Sequence, residues 1–578
     1  MLWTLTRTYV RGSRVGIVAL IVVLQLIQTF ASLLLPSLNA DIIDRGVARG
    51  DIGLIWQLGA AMLGVTVMQA ACSAGAIYLA ARQSMGQGRW LRERVFHHVQ
   101  RFSTADLRHF GAPSLITRCT NDVQQVQMVM FLVYELMVIA PLMGIGGVLM
   151  AIRQDAKLSL LLLVCVPVLA LTVGLIMMRL GPRFRAQQEA IDRITDVLRA
   201  QLSGVRVIRA FRRQRSEYDR YDEANHELRA IALALGSLFA LMFPLVSLII
   251  SASQVAVVWL GGHRISQGGM EVGSLTAYLN YLVLILMSVM MASFVFTMLP
   301  RAQVCAERIN AVLTYDPVLT ETTTPTPIPR GATFALEGAS VHHTDASAPV
   351  LAPLDLEFRP GHTTAIIGST GSGKTTLVSL LPRLRDTSAG RVSLGGIDVR
   401  DLDLADLRSR IAYVPQTSYL FSGTIATTVA ACASERIDRD RLTRALESAQ
   451  AAEFVAELDE GVDARVEAGG KNFSGGQRQR LAIARALYRD ADLYIFDDSF
   501  SALDYATDAK VRSGLRAHVG DAAIVIVAQR IATIRHASCI IVLDHGHVVG
   551  RGTHGELVTT CPTYQEIVAS QTGEEELA

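Results

Sequence analysis

Lysine is nearly missing from this 578-residue chain: Lys157, Lys374, Lys471 and Lys510 stand alone against fifty arginines. That bias, with abundant Ala, is the mark of a GC-rich genome, and it makes each remaining Lys a position to explain. Charge of any kind is sparse: 18% of residues are charged, the formal net charge is +2, and 51% are hydrophobic. The small net charge argues against a nucleic-acid partner, which needs a concentrated basic surface. Paired cysteines are lacking too. The seven (Cys72, Cys119, Cys165, Cys305, Cys432, Cys539 and Cys561) are odd in number and scattered, and none forms a CxxC. This argues against a disulfide framework or a zinc site and leaves reduced, structural thiols.

What the chain does have is hydrophobic length. Six runs, near 15–38, 52–81, 130–152, 158–178, 236–260 and 275–299, are long enough to cross a bilayer core, which takes about 20 apolar residues per helix. The first is too long for a cleaved signal peptide, and five more follow it. Residues 1–14, 82–129 and 179–235 together carry 22 Arg, whereas 39–51, 153–157 and 261–274 carry five basic residues. Both termini are therefore expected on the cytoplasmic side. The opening "MLWTLTRTYVRGSR" sets Arg7, Arg11 and Arg14 at helical spacing beside Leu2, Trp3 and Tyr9, predicting a short interfacial elbow helix over 1–14. The two long inward connections keep an apolar helical period, as in "ITDVLRAQLSGVRVIRAF", and predict helical extensions that turn back near Phe110–Pro113 and Phe211–Ser216.

The membrane half, 15–313, says little about substrate. Glu135 is the one acid within a membrane run; it reads equally as functional or as a solvated interfacial residue. Phe239, Phe243, Trp259, Tyr278, Tyr281, Phe294 and Phe296 on the last two spans could line a hydrophobic pocket, although packing is the commoner role for each. "TYDPVLTETTTPTPIPRG" then breaks all periodicity with Thr and Pro and reads as a linker over 314–330. Residues 331–578 alternate short apolar strands with helical stretches, the pattern of a soluble α/β domain with a largely parallel sheet.

Within that domain "AIIGSTGSGKTTLV" follows a strand-like run and opens a helix. It fits G-x-x-x-x-G-K-[ST], a loop whose backbone N–H groups converge on phosphate oxygens. Gly368, Ser369, Thr370, Gly371, Ser372, Gly373, Lys374, Thr375 and Thr376 are the candidate ATP-binding residues. Lys374 would reach the terminal phosphates and Thr375 the Mg²⁺. "LYIFDDSFSALD" ends an apolar strand at two carboxylates, of which Asp497 would complete the Mg²⁺ shell. Between them, Ser474, Gly475, Gly476 and Gln477 open a strong helix and form a second anion site.

These residues make the chain resemble the exporter-type ABC half-transporters, six membrane spans fused to a P-loop NTPase domain of ABC type. "GSTGSGKT" is similar to Walker A, "YVPQ" ending at Gln416 to the Q-loop, and "FSGGQ" to the signature. "LYIFDD" is similar to Walker B, and Ser501, Ala502, Leu503 and Asp504 to the D-loop. The resemblance implies ATP and Mg²⁺ as cofactors, with Thr375, Gln416 and Asp497 at the metal. It also implies two such domains sandwiching ATP between one chain's Walker A and the other's signature. The inward tips would act as coupling helices.

Several positions depart from the family pattern. Asp498 stands where the family carries its catalytic Glu, and Gln529 where it carries a switch His. His343 stands where an aromatic stacks on adenine, and "EAGG" (467–470) replaces a Gly-Glu pair. A general base must come within about 2.6–3.2 Å of the water it polarises, and losing a methylene draws the carboxylate back by about 1 Å, a displacement that can cost about a hundredfold. The expectation is a degenerate Walker site that binds MgATP and hydrolyses it slowly. Its intact signature would serve a partner half-transporter that supplies Glu and His; a homodimer is the alternative. The expected setting is a bacterial cytoplasmic (inner) membrane, crossed many times. The expected substrate is hydrophobic or amphipathic, a lipid or drug, among membrane lipids. The alternatives are an ATP-gated channel or regulatory membrane protein, or an importer on the same fold.

Overall fold

The computed structural model describes residues 1–11, 13–329, 331–342, 348–430 and 437–575. The chain divides into two compact units, Met1–Gln100 with Phe110–Tyr315 and Arg101–His109 with Asp316–Ala578.

The first unit is helical. Among the described residues six helices are long and apolar enough to cross a membrane: Arg14–Val47, Ile52–Val99, Ala112–Gln154, Leu158–Ser203, Gln214–Ser266 and Val272–Leu313. Each runs well past the length that hydrocarbon requires, which makes the inward connections helical extensions. Close approach of the third span to its neighbours depends on missing side chains. A Cβ at Gly147 would lie 2.7 Å from Ile285, one at Gly144 would lie 2.8 Å from the Ser288 hydroxyl, and one at Gly146 would strike Leu33. Small residues at such crossings let helix backbones pack where lipid offers no hydrophobic drive.

The elbow helix is shorter than its sequence suggests, Leu2–Tyr9. Arg11 falls outside it and Arg14 belongs to the first span, so the three arginines do not share one helix. Leu2, Leu5 and Tyr9 are buried, Thr6 accepts a hydrogen bond from Gln87 at 3.0 Å, and the Arg14 guanidinium lies 4.1 Å over the Tyr9 ring. The reversals also differ in detail. A separate helix, Thr104–Phe110, makes the first, and Gly111 at φ +75° starts the next helix, so this turn begins several residues before Phe110–Pro113. The second is a short helix, Val205–Ala210, closed by Arg212 at φ +54°.

Tyr278 and Tyr281 are fully buried. The hydroxyl of Tyr278 donates to Leu158 O at 3.1 Å and that of Tyr281 to Leu33 O at 2.8 Å. Both pack against neighbouring helices through these bonds. Phe296 does line a cavity of ≈ 590 Å³ between the third and sixth spans, together with Met137, Pro141, Ile285 and Val289. Glu135 is half-buried, and its carbonyl accepts from Gln25 at 3.0 Å.

The second unit is α/β. A six-stranded sheet runs in the order His547–Gly552, Cys539–Asp544, Thr363–Gly368, Ala523–Val527, Leu493–Asp497, Ile411–Val414, and only its first pairing is antiparallel. Leu493–Asp497 and Ala523–Val527 are buried at every position, because a parallel sheet covered on both faces has no solvent side. A second, antiparallel sheet is built from Leu351–Phe358, Phe334–Val341, Ala389–Leu394 and Ile397–Asp398. Asp106 is also in this unit, fully buried, with its carboxylate accepting from Ser103 N at 2.7 Å. The buried Arg383 donates to Thr320 O at 2.9 Å and pairs with Asp386 at 2.8 Å, anchoring the irregular segment that precedes the first strand.

Candidate functional site

The carboxyl ends of parallel strands converge where Thr363–Gly368 gives way to the Lys374–Leu380 helix, the usual ligand position in an open α/β sheet. The loop between them turns on glycines. Gly371 and Gly373 have φ of +85° and +100°, and a Cβ at Gly373 would lie 2.7 Å from Leu351 and 2.9 Å from Val350 O. With no side chain at these glycines the loop presents bare N–H groups of the kind phosphate needs. Lys374 Nζ folds into it, donating to Gly368 O at 2.8 Å and Ser369 O at 2.7 Å. Burial pulls its pKa down, while Asp498 and Asp497 act against that shift.

Asp497 closes Leu493–Asp497, two strands across the sheet from Thr363–Gly368, at 1% exposure. It accepts from the Thr375 hydroxyl at 3.2 Å and from the Tyr413 hydroxyl at 3.2 Å. Burial pushes its carboxyl up from the usual range, against these two hydrogen bonds. A hydroxyl and a buried carboxylate side by side are hard oxygen donors of the type Mg²⁺ selects. The residues present therefore fit MgATP: cradle, lysine and metal-side oxygens are in place.

The next residue is built differently. Asp498 adopts φ +49°, a left-handed conformation uncommon outside glycine, and its N–H donates to Val527 O at 2.9 Å. Its Oδ2 accepts from Gln529 Nε2 at 3.1 Å and, more loosely, from Gln416 Nε2 at 3.4 Å. Two amides thus hold one carboxylate oxygen. Burial raises this carboxyl as well, countered by Gln416, Lys374, Arg530 and Gln529 in that order. Gln416 meets Asp498 here, whereas the sequence placed it at the metal.

The signature residues form a separate helix start. Ser474 caps Gly475–Leu487 with a complete capping box: its hydroxyl accepts from Gln477 N at 3.2 Å while Gln477 Oε1 accepts from Ser474 N at 2.9 Å. A Cβ at Gly475 would meet nothing within 4 Å. Ser501 donates to Asp498 O at 2.9 Å, Asp504 caps Tyr505–Val519 through Thr507 N at 3.0 Å, and Arg530 holds Ser501 O and Leu503 O at 3.2 and 3.1 Å. Ala502 O approaches Gly476, at 3.4 Å from a Cβ built there. Ser369, Thr370 and Gly371 are exposed on the cradle, Ser372 is buried beneath it, and Thr376 follows on the first turn. His343 lies outside the described residues.

Three contributors escaped the sequence reading. Tyr413 sits in the quoted "YVPQ", one strand away from Asp497, and only sheet register brings them together. Arg530 follows Gln529 but acts on the D-loop carbonyls. Gln571, from the last helix, donates to Gln529 O at 2.7 Å and accepts from Ile531 N at 2.8 Å; nothing in its surroundings in sequence signals that.

A P-loop, a Walker-B carboxylate and a signature helix in one α/β domain, on a chain with six membrane-length helices, define an ATP-driven membrane transporter. Residues 18–289 match the family model of the ABC transporter transmembrane region, and 351–501 match the model described as ABC transporter. An uncharacterised ABC transporter ATP-binding protein of Mycobacterium tuberculosis is 49% identical over 575 residues, covering 99% of this chain and 98% of that one. An ATP-dependent lipid A-core flippase of Vibrio vulnificus is 29% identical over 573 residues, with 99% and 97% covered. A multidrug efflux ATP-binding/permease protein of Mycobacterium tuberculosis is 31% identical over 561 residues, covering 96% of this chain and 46% of that longer one. The solved structure of a bacterial Atm1-family ABC exporter with ATP bound shares the fold at a TM-score of 0.80 and 22% identity, over 96% of this chain and 98% of that one.

The chain belongs to the ABC transporters. It is a multi-pass membrane protein and a half-transporter of the exporter type, with its membrane domain fused to its ATPase domain.

Proposed function

We propose that this chain is the degenerate-site subunit of a heterodimeric ABC exporter in a bacterial cytoplasmic membrane, with both termini in the cytoplasm. The observation that carries the reading is the Asp498–Gln529 pair, hydrogen-bonded at 3.1 Å where the family resemblance implies a catalytic Glu and a switch His. Beside it the cradle and the signature cap are complete.

MgATP, when bound, supplies the phosphoanhydride whose cleavage drives transport. In this chain the amides of the 368–373 loop and Lys374 would hold the phosphates, while Thr375 and Asp497 would hold the metal. Asp498 is poorly placed to take a proton from water. It is one methylene short of Glu, and its Oδ2 is already held by Gln416 and Gln529. Gln529 has an amide to offer a phosphate oxygen but no protonatable ring. Binding is thus supported at this site and proton abstraction is not. Ser474 and the N-terminal amides of its helix are available to a nucleotide held by the partner.

The substrate is hydrophobic or amphipathic. The cavity between the third and sixth spans has Ser288 as its one hydroxyl-bearing wall residue and no charged one, which suits a hydrocarbon body. The flippase and efflux relatives are named for molecules of that character. The test is ATP turnover by the purified chain and by the chain co-expressed with a cognate half-transporter carrying Glu and His. Little activity alone and substantial activity together is expected; brisk turnover by the isolated chain would sink the heterodimer reading.

A further inference from the structure

A cleft of ≈ 550 Å³ opens in the ATPase unit between the Tyr505–Val519 helix, the 532–537 segment and the strand Ala523–Val527. It is not part of the nucleotide site. Thr363, on its wall, starts the strand that ends in the P-loop at Gly368, and at about 3.3 Å per residue that sets the two on the order of 15 Å apart along the sheet. Its volume falls within the range of about 300–1,000 Å³ typical of small-molecule sites.

The lining has one sign of charge. Arg512, Arg516, Arg535 and His536 border the cleft, and no Asp or Glu does. Arg512 is already committed: it pairs with the buried Asp508 at 2.9 Å and caps Ala532 O and Thr533 O at 3.2 Å each. Arg516 and Arg535 are exposed and are not committed in this way. Arg516 donates once, to His536 O at 2.9 Å, and Arg535 donates through Nε to His536 Nε2 at 3.1 Å. Among the described residues neither makes an ion pair. A guanidinium carries five N–H donors in a fork matched to phosphate or carboxylate, so both retain donors for an anion. The rest of the wall is largely aliphatic, with Leu515, Ile524 and Ile526.

We infer that this cleft is an effector site for a small amphipathic anion, with a phosphate head on Arg516 and Arg535 and an apolar body against Leu515 and Ile526. Its walls are the two elements that frame the catalytic corner. One is the helix capped by the D-loop Asp504; the other follows Gln529. They are joined by Thr533 donating to Asp508 at 3.0 Å and by Arg530 reaching Ser501 O and Leu503 O. An occupant that fixes their spacing therefore alters the affinity of the nucleotide site, and by linkage nucleotide alters the affinity of the cleft.

The experiment is calorimetric titration of the full-length chain with hexyl phosphate, using hexanol and inorganic phosphate as the separate halves of the ligand. Hexyl phosphate is expected to bind more tightly than either half. The double substitution Arg516→Ser/Arg535→Ser should weaken it about tenfold or more, since each charge-assisted contact is worth about twice a neutral one. Lys374→Ala should leave it unchanged. Saturating hexyl phosphate should shift the MgATP Kd about fivefold in the wild type and not in the double variant. Both arginines are exposed, so the variant should keep its unfolding temperature. The inference is overturned by no binding in the wild type, by equal binding in the double variant, by loss of binding in Lys374→Ala, or by binding that leaves the MgATP Kd unmoved.

Discussion

Compared with the signature edge around Ser474, the corner around Asp498 has its phosphate-holding parts in place but carries Asp and Gln at the two positions where the family resemblance implies Glu and His. The signature helix has both halves of its capping box and open space over Gly475. At the Walker corner the glycine cradle, Lys374, Thr375 and Asp497 are arranged to hold a phosphate and a metal, while Asp498 and Gln529 are turned on each other. Phosphate is held largely by backbone amides and one flexible cation, a task that tolerates small displacements. Attack by water depends on the reach of one side chain, and there a single methylene decides the outcome.

The sharpest break between the two edges is a pair of substitutions in the assembled transporter. Gly475→Asp places a carboxylate where the helix start should meet the partner's nucleotide; nearly complete loss of ATP turnover is expected. Asp498→Ala should cost no more than a few-fold. Equal losses would mean that both composite sites hydrolyse alike. Next in size is a gain. Asp498→Glu with Gln529→His lengthens the carboxylate and supplies a ring, and should raise turnover by the chain alone by up to about a hundredfold. No gain over the wild type would show that the defect lies elsewhere, for example at His343.

How much of this was legible in sequence depends on distance along the chain. The six apolar runs and the P-loop are local, and their physics needs no tertiary information: a bilayer demands length, and a phosphate demands glycine before a helix. The extent of the helices was harder, because the extensions beyond the hydrocarbon lose their polarity signal; Gln214–Ser266 runs unbroken through Pro244. Tyr278 and Tyr281 show what apolar patterning leaves open. An aromatic in a span can face a pocket or a neighbour, and only the carbonyls of Leu158 and Leu33 settle which. The same holds at the site. Asp497 and Asp498 could be read from adjacent letters, whereas Tyr413 reaches Asp497 only through sheet register, and Gln571 reaches the Gln529 carbonyl only through the fold of the last helix.

A third test asks whether the Walker corner still works as a clamp. Lys374 is the one cradle side chain whose loss removes charge without touching the backbone amides. Lys374→Ala should weaken nucleotide occlusion at this site and slow the assembled transporter by about tenfold, because in the proposed heterodimer the partner's nucleotide would retain this chain's signature. The equivalent lysine change in the partner should abolish turnover. Trapped-nucleotide stoichiometry in each single variant reports the difference; identical, complete loss from both would erase the asymmetry between the edges.

The smallest expected effect is set by Asp497 and separates metal binding from folding by sign. Burial raises its carboxyl from the ordinary value of an Asp side chain, about 3.9 when free. Mg²⁺ needs the ionised form, so protons compete with the metal at a higher pH than they would for a solvated Asp. MgATP affinity should therefore weaken several-fold as pH falls from neutrality through the raised pKa. Folding without nucleotide runs the other way. With the folded pKa above the unfolded one, this group's contribution to stability is fully present below the unfolded value and is lost as pH rises through the folded value. Asp497→Asn removes the titration: its MgATP affinity should be weaker at pH 7 and flatter with pH. Titrations of MgATP into the full-length wild type and variant from pH 7 down to the acid limit of the folded protein, with nucleotide-free thermal unfolding alongside, give both slopes. Parallel slopes in the two proteins would show that Asp497 is not the group through which protons act.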